Sequence, residues 1–258
     1  MSWRRLRQLD FLGRHLFLRD FNYRYRQTFF GYFWAVLKPM MLGASVILFG
    51  SQFESKGAEE PVPFAAFSFV GLLLLRIFWD SVIQPQWVTR RMRGMFRRGP
   101  FPHGAVLFAS VYYVLVDASV YLILATVLLI TTGAPVAWTA AFTLLAVPII
   151  MAAGLALGVY LAPITLVYMD ARYSLPAMFP GILLTVPVLY RPLDSGPLAW
   201  VNAWNPLTYV VGLPRDLLFG LGEGQLFGFV VALALFAVIG SRGLRFFHRG
   251  MKVAIDQV

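Results

Sequence analysis

The feature that most constrains the fold is the way charge is sorted along the chain. Long apolar stretches with almost no charge alternate with short polar segments, and the basic residues concentrate in every second segment. Arginines crowd residues 1–26 and 90–98, basic residues return at 242–252, and the segment at 51–63 is predominantly acidic. Apolar spans with lysine and arginine in alternate loops are typical of a polytopic helical membrane protein with one orientation.

The composition indicates that lipid is the solvent for much of the surface. Of the 258 residues, 59% are hydrophobic and only 13% are charged, whereas a soluble domain carries roughly 25% charged residues. The net charge of +10 is explained better by basic cytoplasmic loops than by nucleic-acid binding, which we do not expect. The chain has no cysteine, which excludes disulfides and thiolate metal sites. The polar N-terminus is not expected to be a cleavable signal peptide.

Six apolar stretches are predicted as membrane spans, because a helix needs about 20 residues to cross the ~30 Å hydrocarbon layer. They cover residues 29–50, 64–84, 104–130, 138–167, 174–190 and 226–247. The preceding residues 1–27 are predicted to form an amphipathic helix along the headgroup layer, followed by an elbow. The expected fold is therefore an all-α polytopic membrane protein with a single transmembrane domain, residues 1–258.

Residues 191–225, between the last two predicted spans, are rich in proline and glycine. Their apolar pieces, at 198–201 and 209–211, are too short to cross a membrane. This broken pattern favours short re-entrant helices that dip into the outer face and return. A solvated extracellular loop is the alternative.

The distribution of basic residues predicts the orientation. With the N-terminus inside, the cytoplasmic segments hold 17 lysine and arginine residues and the outer segments hold three. This bias predicts that both termini are cytoplasmic, which agrees with an even number of spans.

Motifs for chemistry are scarce in this chain. The sequence has no G-x-x-x-x-G-K-[ST] phosphate loop, so we do not expect the chain to hydrolyse nucleotide in that way. Its three histidines are far apart and lack acids at metal-ligand spacing, which argues against a metal site. We therefore expect no cofactor bound by this chain and no enzymatic activity of the chain alone.

Three motifs resemble those of a known family. Residues 18–39 are LRDFNYRYRQTFFGYFWAVLKP, residues 168–172 are YMDAR, and WNPLTY at 204–209 is followed by Arg215-Asp216. Together with six spans, they resemble the permease subunit of type-2 ABC exporters, and most of all the branch that exports O-antigen, capsule and teichoic-acid polysaccharides. Met169 stands where that family more often has arginine.

The resemblance implies a homodimer of this chain with two copies of a separate nucleotide-binding ATPase subunit, in the bacterial inner membrane. It also implies export of a lipid-linked polysaccharide through a channel at the dimer interface, with ATP and magnesium bound by the partner subunit. The alternatives are a type-2 ABC exporter of drugs or small lipids, a membrane glycosyltransferase acting on a polyprenyl lipid, and a structural membrane anchor.

By the same resemblance, the basic segment at 86–99 is the coupling segment that docks on the ATPase. Its candidate contact residues are Arg90, Arg91, Arg93, Met95, Phe96, Arg97 and Arg98. Arginine suits such a contact, because its guanidinium forks onto carboxylates and its stem packs on apolar surface. The alternative is a basic segment that contacts only anionic lipid.

The candidate contacts with a lipid pyrophosphate lie at the elbow and in the second span. They are Tyr23, Arg24, Arg26, Arg76 and Asp80. The elbow residues are equally suited to ordinary phospholipid headgroups. Arg76 and Asp80 share one helix face at i and i+4. Charges inside a membrane usually face a bundle interior or a water-filled path, and mutual neutralisation of this pair is the alternative.

The candidate channel-lining residues combine aromatic side chains with one acid. They are Phe30, Phe33, Trp34, Asp117 and Tyr190. Aromatic faces stack on sugar rings, whereas an interfacial aromatic belt is the alternative for the cluster near residue 30. For Asp117 the alternative is a structural pair with Arg76, Lys38 or a neighbouring tyrosine.

Overall fold

The chain is described by a computed structural model that covers most of the sequence. The described residues are 3–25, 33–50, 62–96, 102–168, 170–191, 195–222 and 225–256. Within these ranges the structure consists of helices and connecting turns without a β-strand, which confirms the all-α prediction there. The helices are α1 (Trp3–Tyr25), α2 (Phe33–Gly50), α3 (Phe64–Arg91), α4 (Arg93–Phe96), α5 (Gly104–Thr132), α6 (Ala140–Val167), α7 (Ala171–Thr185), α8 (Pro197–Trp204), α9 (Pro206–Phe219) and α10 (Leu226–Asp256).

Four of the described helices are long and apolar enough to cross a membrane, namely α3, α5, α6 and α10. They contain the predicted spans at 64–84, 104–130, 138–167 and 226–247, except for the first two residues of the third of these ranges. The helices α2 and α7 occupy most of the other two predicted spans. Since α7 has 15 residues, its helix is ~22 Å long, which is shorter than the hydrocarbon layer. The count of six spans therefore stays a prediction.

The helix α7 ends at Thr185, five residues before the predicted end of the fifth span at Tyr190. The next residue, Val186, is extended, with φ −97° and ψ 130°. Proline at 187 explains this end, because the residue before a proline is sterically disfavoured in the helical region.

The helix α3 is longer than predicted and continues from Gln84 to Arg91, with Pro85 inside it. Two polar side chains in this extension bond to backbone carbonyls four residues earlier. Gln86 Nε2 donates to Val82 O at 2.9 Å, and Thr89 Oγ1 donates to Pro85 O at 2.6 Å. Because both donors bond within their own helix, these side chains can be buried in the extension of α3. Much of the predicted coupling segment is therefore helical.

The helix α3 lies at the centre of the bundle. It packs against α2, α5, α6, α7 and α9, and 83% of its most apolar 18-residue window is buried, compared with 17% for α5 and 22% for α10. The outward faces of α5 and α10 are apolar, which is typical of helices that contact lipid. This arrangement supports a membrane-embedded protein with α3 shielded by its neighbours.

Two glycines of α6 allow the close contact with α3. A Cβ atom at Gly154 would lie 2.6 Å from the Ser81 Cβ, and one at Gly158 would lie 2.5 Å from Val82 O. A small residue at every fourth position lets two helix backbones approach closely within a membrane. This contact sets the position of α3, which carries most of the candidate site.

The N-terminal helix α1 packs on the chain itself. Leu9, Leu16 and Phe17 are buried against α5 and the end of α3, and Gly13 lies directly against Phe108. The apolar face that predicted an amphipathic helix is thus largely covered by protein. Its position along the headgroup layer remains a prediction.

Candidate functional site

A cavity of about 430 Å³ lies among α2, α3, α5 and α7. Its charged and amide side chains come from three helices. They are Lys38 of α2, Arg76, Asp80, Gln84 and Arg91 of α3, and Asp117 of α5. Charged groups within apolar helices are costly and are retained where they serve a pathway or a binding site. This cavity is therefore the candidate functional site.

The spacing on α3 explains why its polar residues meet in one cavity. Arg76, Asp80, Gln84 and Arg91 lie at i, i+4, i+8 and i+15, so they form one line down the helix face. We call these four residues the α3 stripe. The sequence analysis placed Arg76 and Asp80 in the substrate site, assigned Arg91 to the coupling segment and did not single out Gln84. The continuation to Gln84 and Arg91 at helical spacing is the signal that would have extended the site.

Hydrogen bonds from neutral donors hold both acidic side chains of the cavity. The hydroxyl of Tyr121 donates to Asp80 Oδ2, and Gln84 Nε2 donates to Asp117 Oδ2 at 3.1 Å. Each bond joins α3 to α5. The sequence analysis expected a tyrosine as one structural partner for Asp117, but the described tyrosine bond is made to Asp80.

The guanidinium group of Arg76 faces α7. Its Cζ atom lies 4.6 Å from the centroid of the Phe179 ring, a distance typical of a cation–π contact. Among the described residues, the buried Nε atom of Arg76 has no hydrogen-bond partner. Arg76 therefore presents an unsatisfied donor beside the cavity.

Aromatic side chains form the apolar walls of the cavity. Trp34 comes from α2, Trp79 and Trp87 come from α3, and Tyr113 and Tyr121 come from α5. Tryptophan and tyrosine combine a large apolar face with one polar atom, so these walls suit a ligand that is partly apolar.

The other predicted channel residues are placed elsewhere or lie outside the described residues. Phe33 is half exposed on α2, and Phe30 is outside the described part of the chain. The hydroxyl oxygen of Tyr190 lies 3.1 Å from both Leu184 O and Asn202 Oδ1, and its single proton can be donated to either acceptor. Tyr190 therefore joins the end of α7 to α8. Of the described members of the predicted channel set, Trp34 and Asp117 line the cavity, and Phe33 and Tyr190 do not.

A second group of charged residues joins α1 to the end of α3. Asp20 Oδ1 lies 2.9 Å from Arg19 Nη2, and Asp20 Oδ2 lies 3.9 Å from Arg91 Nη1. Arg19 also contacts the sulfur atoms of Met92 and Met95, each at 3.6 Å. We call Arg19, Asp20 and Arg91 the elbow cluster. Because Arg91 also lines the cavity, this cluster is continuous with the candidate site.

The predicted coupling residues differ in their exposure. Arg91 and Arg93 are exposed, whereas Phe96 is buried and packs edge-on against His103 at a centroid distance of 5.3 Å. Arg90 lies over the Trp87 ring, with its Cζ atom 5.6 Å from the centroid. The surface that a partner can reach in the described part of this segment is therefore mainly Arg91 and Arg93.

Several predicted site residues lie outside what the structure describes. The backbone of Tyr23 and Arg24 belongs to the last turn of α1, but their side chains are not among the described ones. Arg26, Arg97 and Arg98 lie outside the described residues altogether. Their predicted roles at the elbow and in the coupling segment remain predictions.

Arg215 of α9 is a buried cation whose role the sequence analysis did not predict. Its side chain is 1% exposed. Nη1 donates to Pro187 O at 2.6 Å, Nε donates to Asp216 Oδ1 at 3.2 Å, and Cζ lies 3.7 Å from the Phe67 ring centroid. Arg215 therefore connects α9 to α3 and to the turn after α7.

Burial and pairing act in opposite directions on this ion pair. Burial lowers the pKa of the Arg215 guanidinium, and the neighbouring Asp216 carboxylate opposes that shift. Burial raises the pKa of Asp216, and Arg215 opposes that shift in turn. Each residue of this pair therefore stabilises the charged form of the other against the effect of burial.

The fold and the site together define a class: an α-helical protein whose described part has four candidate membrane-spanning helices, two of which, α3 and α5, line a polar cavity together with α2 and α7. Within the described residues, no three histidine, cysteine or acidic side chains are grouped so that they could hold a metal ion. No protein-family model matches the chain, and no curated protein matches it.

Proposed function

We propose that this chain is the transmembrane subunit of an ATP-driven exporter that moves a lipid-linked polysaccharide across the bacterial inner membrane. The observation that carries the proposal is the polar cavity among apolar helices, with charged side chains from α2, α3 and α5. Such charges mark substrate pathways in membrane proteins. The motifs at 18–39, 168–172 and 204–209 support the assignment to the exporter family by resemblance.

In the proposed topology, α2, α3, α5, α6, α7 with its following turn, and α10 cross the membrane. The helix α1 lies along the cytoplasmic headgroup layer, and α8 and α9 dip into the outer face. The packing supports this arrangement, because helix ends that the topology places on the same side of the membrane contact each other. Ala137 N, before α6, donates to Leu218 O of α9 at 2.9 Å, and Phe96 of α4 contacts His103, before α5.

Labelling of single cysteines tests this topology, and the cysteine-free chain needs no prior substitution. We expect Gly94→Cys to be protected from a membrane-impermeant maleimide in intact spheroplasts and to react after the membrane is opened. We expect Ser195→Cys to react in intact spheroplasts, because residues 191–225 are assigned to the outer face. Reaction of Gly94→Cys in sealed spheroplasts would overturn the orientation and the coupling role of the segment.

The chain is proposed to work as a homodimer with two copies of a nucleotide-binding ATPase subunit. ATP and magnesium bind to that partner, since this sequence has no phosphate loop. Closure of the ATPase subunits moves the coupling segment at 86–99, and the movement reaches the cavity through Arg91, which belongs to both.

The purified chain and its complex with a phosphate-loop ATPase test the function directly. We expect the chain alone to show no ATP turnover and no sugar transfer. In proteoliposomes, we expect the complex to hydrolyse ATP and to translocate a lipid-linked glycan. The matched control is a complex whose ATPase subunit lacks its phosphate-loop lysine, which should neither hydrolyse nor translocate. Sugar transfer by the chain alone would support a membrane glycosyltransferase instead. Transport of hydrophobic drugs without glycan translocation would support the drug exporter.

A further inference from the structure

The short helix α8 has the opposite polarity to a helix that faces water. Its one amide side chain, Asn202, is buried, and Asn202 Oδ1 lies 3.1 Å from the Tyr190 hydroxyl oxygen. Its two tryptophans point outward, since Trp200 is 70% exposed and Trp204 is 74% exposed. A helix in water would expose its polar side chain and bury its large apolar ones. The polarity of α8 therefore indicates an apolar environment outside the chain.

The two indole rings form one patch on α8. Trp200 and Trp204 are separated by about one helical turn, and their ring centroids lie 6.1 Å apart. The stretch from Gly196 to Trp204 contains no charged residue, so no charge of α8 interrupts the patch. Exposed apolar patches mark sites of contact with a membrane or with another protein.

Tyr209 of α9 connects α8 to the start of α10. Its hydroxyl donates to Ala203 O at 2.8 Å, and Gly228 of α10 lies directly against its ring. The outward apolar side chains of α10 begin here with Leu226 and Phe227, both exposed, and no charged residue follows until Arg242. The tryptophan patch therefore lies beside the end of the apolar face that α10 presents to lipid. This continuity favours lipid over a protein partner as the contact of α8.

The length of α8 and the chemistry of tryptophan indicate the depth of the patch. A helix of eight residues is ~12 Å long and is too short to cross the hydrocarbon layer. The backbone groups at its ends need hydrogen-bond partners, which hydrocarbon does not supply. Tryptophan combines an apolar ring with one N–H donor and is enriched where a membrane meets water. These properties together fit the boundary between headgroups and acyl chains.

We propose that α8 lies flat in the headgroup layer and that Trp200 and Trp204 insert towards the acyl chains. The patch thereby anchors the region between α7 and α10 to the membrane surface. Its partner is the lipid surface in general, because α8 has no charge that would select one headgroup. The inference requires α10 to cross the membrane, as in the proposed topology, but it does not require the chain to export a glycan.

Spin labelling of the full chain in lipid nanodiscs tests the depth of α8. The chain has no cysteine, so a nitroxide can be attached at Ala203→Cys, an exposed position beside Trp204. The reference label is attached at Ser195→Cys, which is exposed before α8. Oxygen concentrates in lipid, whereas a polar nickel chelate concentrates in water. We expect the ratio of oxygen to nickel collisions to be several-fold higher at position 203 than at position 195.

Two results of this measurement would overturn the proposal. Equal collision ratios at positions 203 and 195 would show that α8 is solvated by water. Few collisions with either reagent at position 203 would show that another protein surface, such as a second copy of the chain, covers the patch.

Substitution of the tryptophans tests whether they hold α8 in the lipid. With the label at position 203, we expect Trp200→Ala combined with Trp204→Ala to lower the collision ratio several-fold, towards that of position 195. The matched control is Trp138→Ala, because Trp138 is also exposed but precedes α6; it should leave the ratio unchanged. An unchanged ratio in a folded double variant would overturn the anchoring role. An equal fall in the control variant would overturn its assignment to this patch.

The two proposals fail in distinguishable ways. Glycan translocation by the complex together with a water-solvated α8 would overturn the anchor and leave the exporter function. Sugar transfer or ATP turnover by the isolated chain would overturn the exporter function and leave the anchor, which is measured by the label at position 203.

Discussion

Replacing Arg215 by methionine is expected to lower the free energy of unfolding by about 3 kcal/mol, the lower end of what breaking one side of a buried ion pair costs. The substitution removes the donor to Pro187 O and the contact with Phe67. Without Arg215, the described side-chain donor to the Asp216 carboxylate is Gln225 Nε2, at 3.3 Å. Burial already raises the pKa of this carboxyl group. The measurement is unfolding of the purified chain in mixed micelles with increasing sodium dodecyl sulfate.

Two further variants separate the loss of charge from the loss of packing. Arg215→Met combined with Asp216→Asn should recover part of the lost stability, because the uncompensated carboxylate is removed. Arg242→Met is the control, since Arg242 is exposed on α10 and exposed charges contribute little. An Arg215→Met variant as stable as the wild type would contradict the structural role of this residue.

Replacing Arg90, Arg91 and Arg93 together by alanine is expected to reduce glycan export by the proposed complex strongly. Within the described part of the coupling segment, Arg91 and Arg93 are the exposed arginines. Arg91 also belongs to the elbow cluster and lines the cavity. We expect translocation in proteoliposomes to fall by at least about tenfold, or ~1.4 kcal/mol of coupling free energy. The Arg91 and Arg93 substitutions should change stability and membrane insertion little, since both side chains are exposed and exposed ion pairs are weak.

A matched triple variant controls for the lost charge. Arg242, Arg245 and Arg249 lie on exposed positions of α10, in a segment assigned to the same side of the membrane. Their replacement by alanine removes the same positive charge and should leave export nearly unchanged. Full export by a normally expressed variant of the coupling segment would reject its role, and an equal loss in both variants would indicate a general charge effect.

The positions of the long helices could be predicted from the sequence because the relevant information is local. The length of each apolar stretch, compared with the thickness of a bilayer, predicted where α3, α5, α6 and α10 lie. Most of their ends agree with the prediction to within a few residues, but α3 and α10 extend further at their C-terminal ends. The end at Thr185 is also local, since Pro187 excludes helix at Val186. The longer course of α3 was missed because hydropathy falls at Gln84, although Gln86 Nε2 and Thr89 Oγ1 donate to carbonyl groups of their own helix.

The site could be predicted only in part. Arg76 and Asp80 could be predicted as a candidate pair because their spacing on one helix is visible in the sequence. Their partners, Phe179 and Tyr121, lie on other helices. Which face of a helix meets which neighbour depends on packing between helices, as where Gly154 and Gly158 of α6 contact α3. A periodic pattern along one helix does not determine that packing.

The sequence by itself determined that this chain is built of apolar helices with charge sorted between them, because burial of apolar surface in lipid depends on composition along the chain. Only the tertiary structure decided which charges face one another. It brought Lys38, Arg76, Asp80 and Asp117 to one cavity and buried Arg215 between α9 and the turn after α7. The physical reason is that electrostatic contacts act over a few ångströms, and those distances are set when the helices pack.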